Sequence, residues 1–379
     1  MIEIEGFKIQ MPEIIQNTLY LTTNGTFVNR DHLTLQVEVP VYPENLPPDE
    51  RTRDKATDWR KVSVPIHHLE SLCAFGQVTV TPPALALCWE HGVAVHFLSE
   101  WGYLQARLTG VADTSVTLRR AQFRAADDPA RCAAIARAVI AGKIQNSRNS
   151  LLRGARESEI SNFKSQMEEA ADALARQIQD LGRWTLERLA GPGALDALRG
   201  AEGMAAQTYF SVFTFLLKQQ RDEFAFSNRN RRPPRDRINC LLSFLYALVR
   251  HDCIAALTTA GLDPFVGFLH AERPNRPALA LDLMEEFRPW LADRLAVTLV
   301  NRKQIGVEHF REREGGAVEF TDAGRKLVIQ SYQVRKQEML QHPLLDQQLR
   351  VGQLAFIQAR ILARYLRNDI ADYVPVVPK

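Results

Sequence analysis

Cysteine is scarce in this chain: five in 379 residues (Cys73, Cys88, Cys132, Cys240 and Cys253), with no CxxC pair and no short spacing to a second kind of metal ligand. That excludes a disulfide framework and disfavours structural zinc, leaving buried, reduced and inert thiols as the expectation. Long apolar runs are absent too. The longest, Leu241 to Val249, is broken by Ser243 and falls well short of the ~18 residues a membrane span needs. The opening MIEIEGFKIQMPEII has no cationic stretch leading into an apolar one, so neither secretion nor membrane insertion is expected and a cytoplasmic protein is. Strong net charge is also missing. With 47 Lys+Arg against 44 Asp+Glu the formal charge is +3, so any surface for nucleic acid has to be local. No internal repeat of solenoid period is visible. What is present is 46% hydrophobic residues, enough for two domains that each bury a core.

β-rich stretches open the chain, Thr18-Leu-Tyr-Leu-Thr-Thr and Thr34-Leu-Gln-Val-Glu-Val, around Asn24-Gly25, a dipeptide that favours a tight hairpin turn. Residues 40–61, with Pro40, Pro43, Pro47, Pro48 and many charges, read as an exposed loop. Strands resume at Val62-Ser-Val-Pro-Ile, Val78-Thr-Val, Val93 to Leu98 and Tyr103 to Leu108, with a brief helix over Pro83 to His91 between them. From Arg119 onward apolar residues return at helical spacing. Asp128-Pro129 supplies an N-cap and a first-turn proline for a helix reaching Arg156. The expected fold is α+β: a small β-rich N-terminal domain (1–115) joined by a helical linker to a larger all-α domain (116–379). The stretch from Tyr373 (YVPVVPK) reads as an extended terminus.

Several residues could carry chemistry. Glu202 sits among small residues in Gly200-Ala-Glu-Gly-Met-Ala-Ala, ahead of an aromatic-rich segment. His270 ends Gly261-Leu-Asp-Pro-Phe-Val-Gly-Phe-Leu-His. Asp282 and Glu285, three apart, share one helical face and repel unless a cation or solvent intervenes. A hard divalent ion compensates them best, although on these residues alone a solvated acidic helix face near Glu286, with Arg288 for partial charge balance, is the commoner arrangement. Arg229, Arg231, Arg232, Arg235 and Arg237 crowd a proline-interrupted loop, and guanidinium groups grip phosphate oxygens in bidentate fashion.

In this order, Glu202, Asn-Arg-Arg-Pro-Pro-Arg-Asp running into Asn239-Cys-Leu-Leu-Ser-Phe-Leu-Tyr, Gly267-Phe-Leu-His270 and Leu281-Asp-Leu-Met-Glu-Glu-Phe-Arg-Pro resemble the CRISPR spacer-acquisition integrases, the Cas-one family. Ala141-Gly-Lys-Ile-Gln-Asn-Ser-Arg-Asn-Ser-Leu-Leu-Arg and the segment around Leu19-Tyr-Leu match as well, so the resemblance spans nearly the whole chain. Its flavour is type I, subtype I-C in particular. The resemblance implies a β-rich domain for dimerisation and partner contact, a helical catalytic and DNA-binding domain, and a homodimer. Two dimers would be bridged by a small partner, the Cas-two protein, on double-stranded protospacer and repeat DNA. It also implies a metal site of Glu202, His270 and Glu285 for Mg²⁺ or Mn²⁺, with Asp282 adjacent. Glu285 departs from the family's aspartate, and Arg237 stands where proline is expected. Arg229, Arg231, Arg232, Arg235, Lys143 and Arg148 are the expected phosphate contacts. The expected reaction is attack of a protospacer 3′-hydroxyl on a repeat phosphate, a transesterification without a covalent protein intermediate. A metal-dependent nuclease of branched DNA, and a scaffold that binds DNA without cutting it, are the alternatives.

Overall fold

Two separate cores organise the computed structural model, one in Met1–Asp113 and the other in Thr114–Lys379. It describes residues 18–43, 46, 52–69, 71–99, 104–108, 116–230 and 233–378.

The first unit contains β1 (Thr18–Leu21), β2 (Phe27–Asp31), β3 (Thr34–Val41), β4 (Asp58–Pro65), β5 (Ser71–Phe75), β6 (Thr79–Val80), α1 (Pro82–Glu90), β7 (Ala94–Leu98) and β8 (Leu104–Leu108). They form two four-stranded sheets, ordered β1-β5-β7-β8 and β4-β3-β2-β6. One apolar core, including Val28, Leu35, Leu72, Leu87 and Val95, joins both sheets to α1.

The Asn24-Gly25 turn does not close a hairpin. β1 pairs in parallel with β5 while β2 pairs antiparallel with β3, so the turn carries the chain from one sheet to the other. It is fixed instead by residue 77: Gly25 N donates to Gln77 O at 2.7 Å and Asn24 Oδ1 accepts from Gln77 N at 3.0 Å. Gly25 is in the left-handed region (φ 80°). The hairpin lies one connection later, at His32-Leu33, with His32 at φ 52°. The proline-rich stretch is also less of a loop than its composition indicates, since β3 runs to Val41 and β4 starts at Asp58. Pro40 is tolerated because β2 stops pairing at Glu38 and leaves β3 one neighbour there. Arg53 stacks over Phe27 and Trp59, 4.5 and 4.4 Å from their ring centres, and pairs with Glu38 at 2.7 Å. β5 was not legible. Ser-Leu-Cys-Ala-Phe has no β-branched residue, yet it occupies the middle of a sheet with parallel neighbours on both sides.

The second unit contains α2 (Val116–Asp127), α3 (Pro129–Arg156), α4 (Ser161–Gly182), α5 (Leu186–Ala190), α6 (Ala194–Ser211), α7 (Arg237–Thr259), α8 (Ala278–Glu285), α9 (Arg294–Asn301), β9 (Phe310–Glu312), β10 (Val318–Phe320), α10 (Asp322–Gln337), β11 (Met339–Gln341), β12 (Gln348–Arg350) and α11 (Leu354–Leu366). A π-helical turn, Arg288–Asp293, links α8 to α9. The long helix starts as its sequence indicates: Asp128 accepts from Ala130 N and Arg131 N at 2.9 and 3.3 Å, and Pro129 needs no donor. The unit is helical but not all-α. β9 and β10 form a hairpin closed through Gly315 and Gly316 at φ 96° and 76°, and β11 pairs with β12. These strands are three residues long, too short to give a period in the sequence.

The Leu241 to Val249 run lies in α7, which is long and apolar enough to cross a membrane by length and composition, but 72% of its most apolar window is buried in the unit. All five cysteines are buried, none in a disulfide. Burial pushes the thiols of Cys88 and Cys132 up to about 11 and raises Cys240 and Cys253 further, which makes them poor nucleophiles. The stretch from Tyr373 is extended, but it is bound into the core along its length. Asn146 Nδ2 donates to Val376 O (2.9 Å), Gln358 Nε2 to Val374 O (3.1 Å), and Val376 N to Glu286 Oε2 (2.9 Å).

Candidate functional site

Asp282 and Glu285 lie on one face of α8, and the loop after α7 delivers His270 to that face. Gly267 permits the approach, because a Cβ there would stand 2.8 Å from Asp282 Oδ2 and from Ala278. Asp282 is buried and uses both oxygens on this loop. Oδ2 accepts from Phe268 N (2.6 Å) and Leu269 N (3.0 Å), and Oδ1 from His270 N (2.9 Å) and His270 Nδ1 (2.7 Å). A carboxylate oxygen only accepts, so Nδ1 carries a proton, and the neutral form of the ring has its lone pair on Nε2. His270 Nε2 faces Glu285 Oε1 at 3.8 Å.

Glu285 is fully buried and doubly countered: Oε1 meets Arg288 Nη1 at 3.1 Å and Oε2 meets Lys143 Nζ at 2.7 Å. Burial pushes its carboxyl up, but Arg288, Lys143 and His270 outweigh that and hold it down at about 2. Lys143 of α3, an expected phosphate contact, is 8% exposed and also pairs with Glu202 on α6. Glu202 is more open, with a side chain 27% exposed. Lys143 thus joins Glu202 to the Glu285–His270–Asp282 group.

Beside this cluster is a cavity of about 390 Å³ lined by Lys143, Glu202, Arg229, Tyr246, Arg288 and Asp293. Tyr246 Oη donates to Asp293 Oδ1 at 2.6 Å, and Arg229 and Arg288 lie over the Tyr246 ring at 5.2 and 4.7 Å. Burial raises Asp293 to about 6, against the opposing pull of Tyr246, Arg288 and Arg229. Sequence reading missed Tyr246 and Asp293. Arg288, read as charge balance for the acidic helix, does balance Glu285. Arg229 is braced by Asn239 Oδ1 (2.6 Å) and Ser243 Oγ (3.0 Å). Arg235 is exposed, its backbone N held by Asn230 Oδ1 at 2.8 Å. Arg231 and Arg232 lie outside the described residues. Arg148 is half-buried on α3, and among the described residues its Nε has no hydrogen-bond partner.

Among the described residues no three His, Cys, Asp or Glu side chains converge closely enough to hold a metal ion; the Lys143 ammonium takes the position between Glu202 and Glu285. The donor set nevertheless suits a hard divalent ion. Two carboxylates flank a cationic group, and an imidazole whose Nδ1 is fixed by a carboxylate presents a free Nε2, the usual outer-shell arrangement of a metal-binding histidine.

The family profile described as CRISPR associated protein Cas1 matches residues 19–334. CRISPR-associated endonuclease Cas1 1 of Moorella thermoacetica is 44% identical over 362 residues, 96% of this chain and 98% of that one. Among solved structures, a casposase bound to integration product aligns over 95% of this chain and 93% of its own, with TM-score 0.77 and 20% identity. A chain of a Cas6-RT-Cas1–Cas2 complex aligns over 98% of this chain and 37% of its own, with TM-score 0.74 and 23% identity. At such identities the structural likenesses show a shared fold.

Proposed function

From the chain's membership of the Cas1 family, we propose that it is the DNA integrase of CRISPR adaptation, joining protospacer 3′-hydroxyl ends to the repeat phosphodiester. The observation that carries this reading is the buried Lys143 ammonium shared by Glu202 and Glu285, with an Asp282-oriented His270 facing Glu285. Glu202, Glu285 and His270 Nε2 are the groups that would hold Mg²⁺ or Mn²⁺. Such an ion, when bound, would neutralise charge at the scissile phosphate and activate the attacking hydroxyl. Asp282 fixes the imidazole, Arg288 keeps Glu285 ionised, and Arg229, Arg231, Arg232, Arg235 and Arg148 position phosphates. Lys143 moves from that group to the site itself, as a counter-charge.

The proposal extends to a homodimer in which residues 1–115 dimerise and meet the small partner Cas2 while residues 116–379 carry the chemistry, in the cytoplasm, within a type I-C-like system. The Cas6-RT-Cas1–Cas2 complex supports the choice of partner. Hydrolysis, with water in place of the 3′-hydroxyl, is the second reading, favoured by the endonuclease name of the Moorella relative. The test is strand transfer with purified protein, Cas2, a labelled duplex with 3′-hydroxyl ends and a supercoiled repeat plasmid. Joined product that needs both Mn²⁺ or Mg²⁺ and His270 is expected. Nicking without joining would move the assignment to the nuclease, and metal-independent binding without cleavage to a scaffold.

A further inference from the structure

On the helical unit a second concavity, of about 590 Å³, backs onto the first and shares Tyr209, Pro289 and Asp293 with it. Six cations line it from four places in the chain: Arg153 and Arg156 at the end of α3, Lys218, Arg294 and Arg302 on and just after α9, and Arg335 near the end of α10. No charge run in the sequence produces this set; the packing of the helices does. Lys218 is held in place, since its backbone N donates to Asn301 Oδ1 (2.7 Å) while Asn301 Nδ2 donates to Leu216 O (2.9 Å).

The nearby carboxylates are already engaged. Glu157 meets Arg153 at 2.9 Å and Lys218 at 3.2 Å, Glu338 pairs with Arg335, and Asp293 accepts from Tyr246. Among the described residues, no ion pair holds Arg156, Arg294 or Arg302. Burial, together with Arg153 and Arg335, pushes the Arg294 guanidinium down to about 10. Guanidiniums crowded into a concavity repel one another until an anion with several oxygens enters.

We propose that this cleft is a binding groove for the phosphodiester backbone of single-stranded DNA, distinct from the carboxylate and histidine site. Its size falls in the range of about 300–1,000 Å³ typical of ligand sites. A flexible strand can bend into such a groove and present successive phosphates to cations on both walls, whereas a rigid duplex carries its phosphates on a convex surface. The inference rests on the reading of this protein as one that acts on DNA, and the test separates the two.

The full-length protein is titrated with fluorescent oligothymidylate in EDTA over a series of KCl concentrations, so that binding is read without catalysis. The variants are the double Arg294→Gln/Arg302→Gln and the rim substitution Arg156→Gln. Each lost phosphate contact lowers the slope of log K against log salt by about 0.7, so the double variant loses about 1.4 and the single about 0.7. Both should melt no lower than the unmodified protein, because the double variant removes the Arg294 guanidinium opposed by Arg153 and Arg335, while Arg156 is exposed and in no ion pair among the described residues. Unchanged slope and affinity in both variants would overturn the groove. So would a fall in melting temperature that accompanies the lost binding, which would assign these arginines to the fold. Loss of inorganic tripolyphosphate binding with oligothymidylate binding intact would overturn the strand as its occupant. If the unmodified protein binds no DNA, the functional reading fails as well; if it binds and the variants match it, the groove alone fails.

Discussion

Asp282 gives all its accepting capacity to the 268–270 loop and to His270 Nδ1, so its part in the proposed reaction is to aim an imidazole. Asp282→Asn should therefore leave a reduced activity, lower by about 10–100-fold, the usual effect of removing a group behind a metal-binding histidine. Glu202→Gln, Glu285→Gln and His270→Ala should each fall to background in the strand-transfer assay. Lys143→Met strips a cation from Glu285, a fully buried carboxylate, and should destabilise the metal-free protein by about 3 kcal/mol. Added Mn²⁺ should restore the loss, as read by thermal melts with and without the ion. At this scale the sequence was half legible. His270, on a loop, is picked out only by the family resemblance, whereas the i,i+3 pair of acids stands out in one dimension, because local spacing fixes their face. Lys143 does not, since nothing near it in sequence distinguishes a lysine destined to lie between Glu202 and Glu285 from one facing solvent.

The elements explain a neighbour of that site with the opposite behaviour. Glu286 follows Glu285 but points away from the cluster, into a pocket closed by α11 and the 373–376 segment, where Tyr373 Oη, Gln358 Nε2 (2.9 Å) and Val376 N (2.9 Å) donate to it. Burial raises its carboxyl to about 7, against these three donors. A proton held there is one the unfolded chain has already released above its ordinary value of 4.5. The contribution is therefore fully present below about pH 4.5 and is lost as pH rises to 7, a change of about 3 kcal/mol. Thermal melts across that window should show a decline in the unmodified protein that Glu286→Gln lacks. Element boundaries were readable where a local signal exists, as at the Asp128-Pro129 start of α3. They were unreadable where partners decide, as in β5, whose strand character comes from parallel neighbours, and at Asn24-Gly25, whose partner is residue 77 and not the adjoining strand.

For the whole molecule, a β-rich first unit and a helical second one could be expected from the change of composition near Arg119. The distribution of charge could not, because a net +3 conceals six cations gathered from four distant places into one cleft. The proposed homodimer predicts a light-scattering mass twice the 42.9 kDa of the chain; a monomer mass at micromolar concentration would refute it. The bound 373–376 segment has a further consequence, in time. Translation makes it after every residue it braces, so a ribosome still reading toward Tyr373 carries α3 and α8 with Asn146 and Glu286 lacking these partners. The residue that follows the acidic helix, Glu286, therefore gains its Tyr373 and Val376 donors only once those late residues have left the exit tunnel.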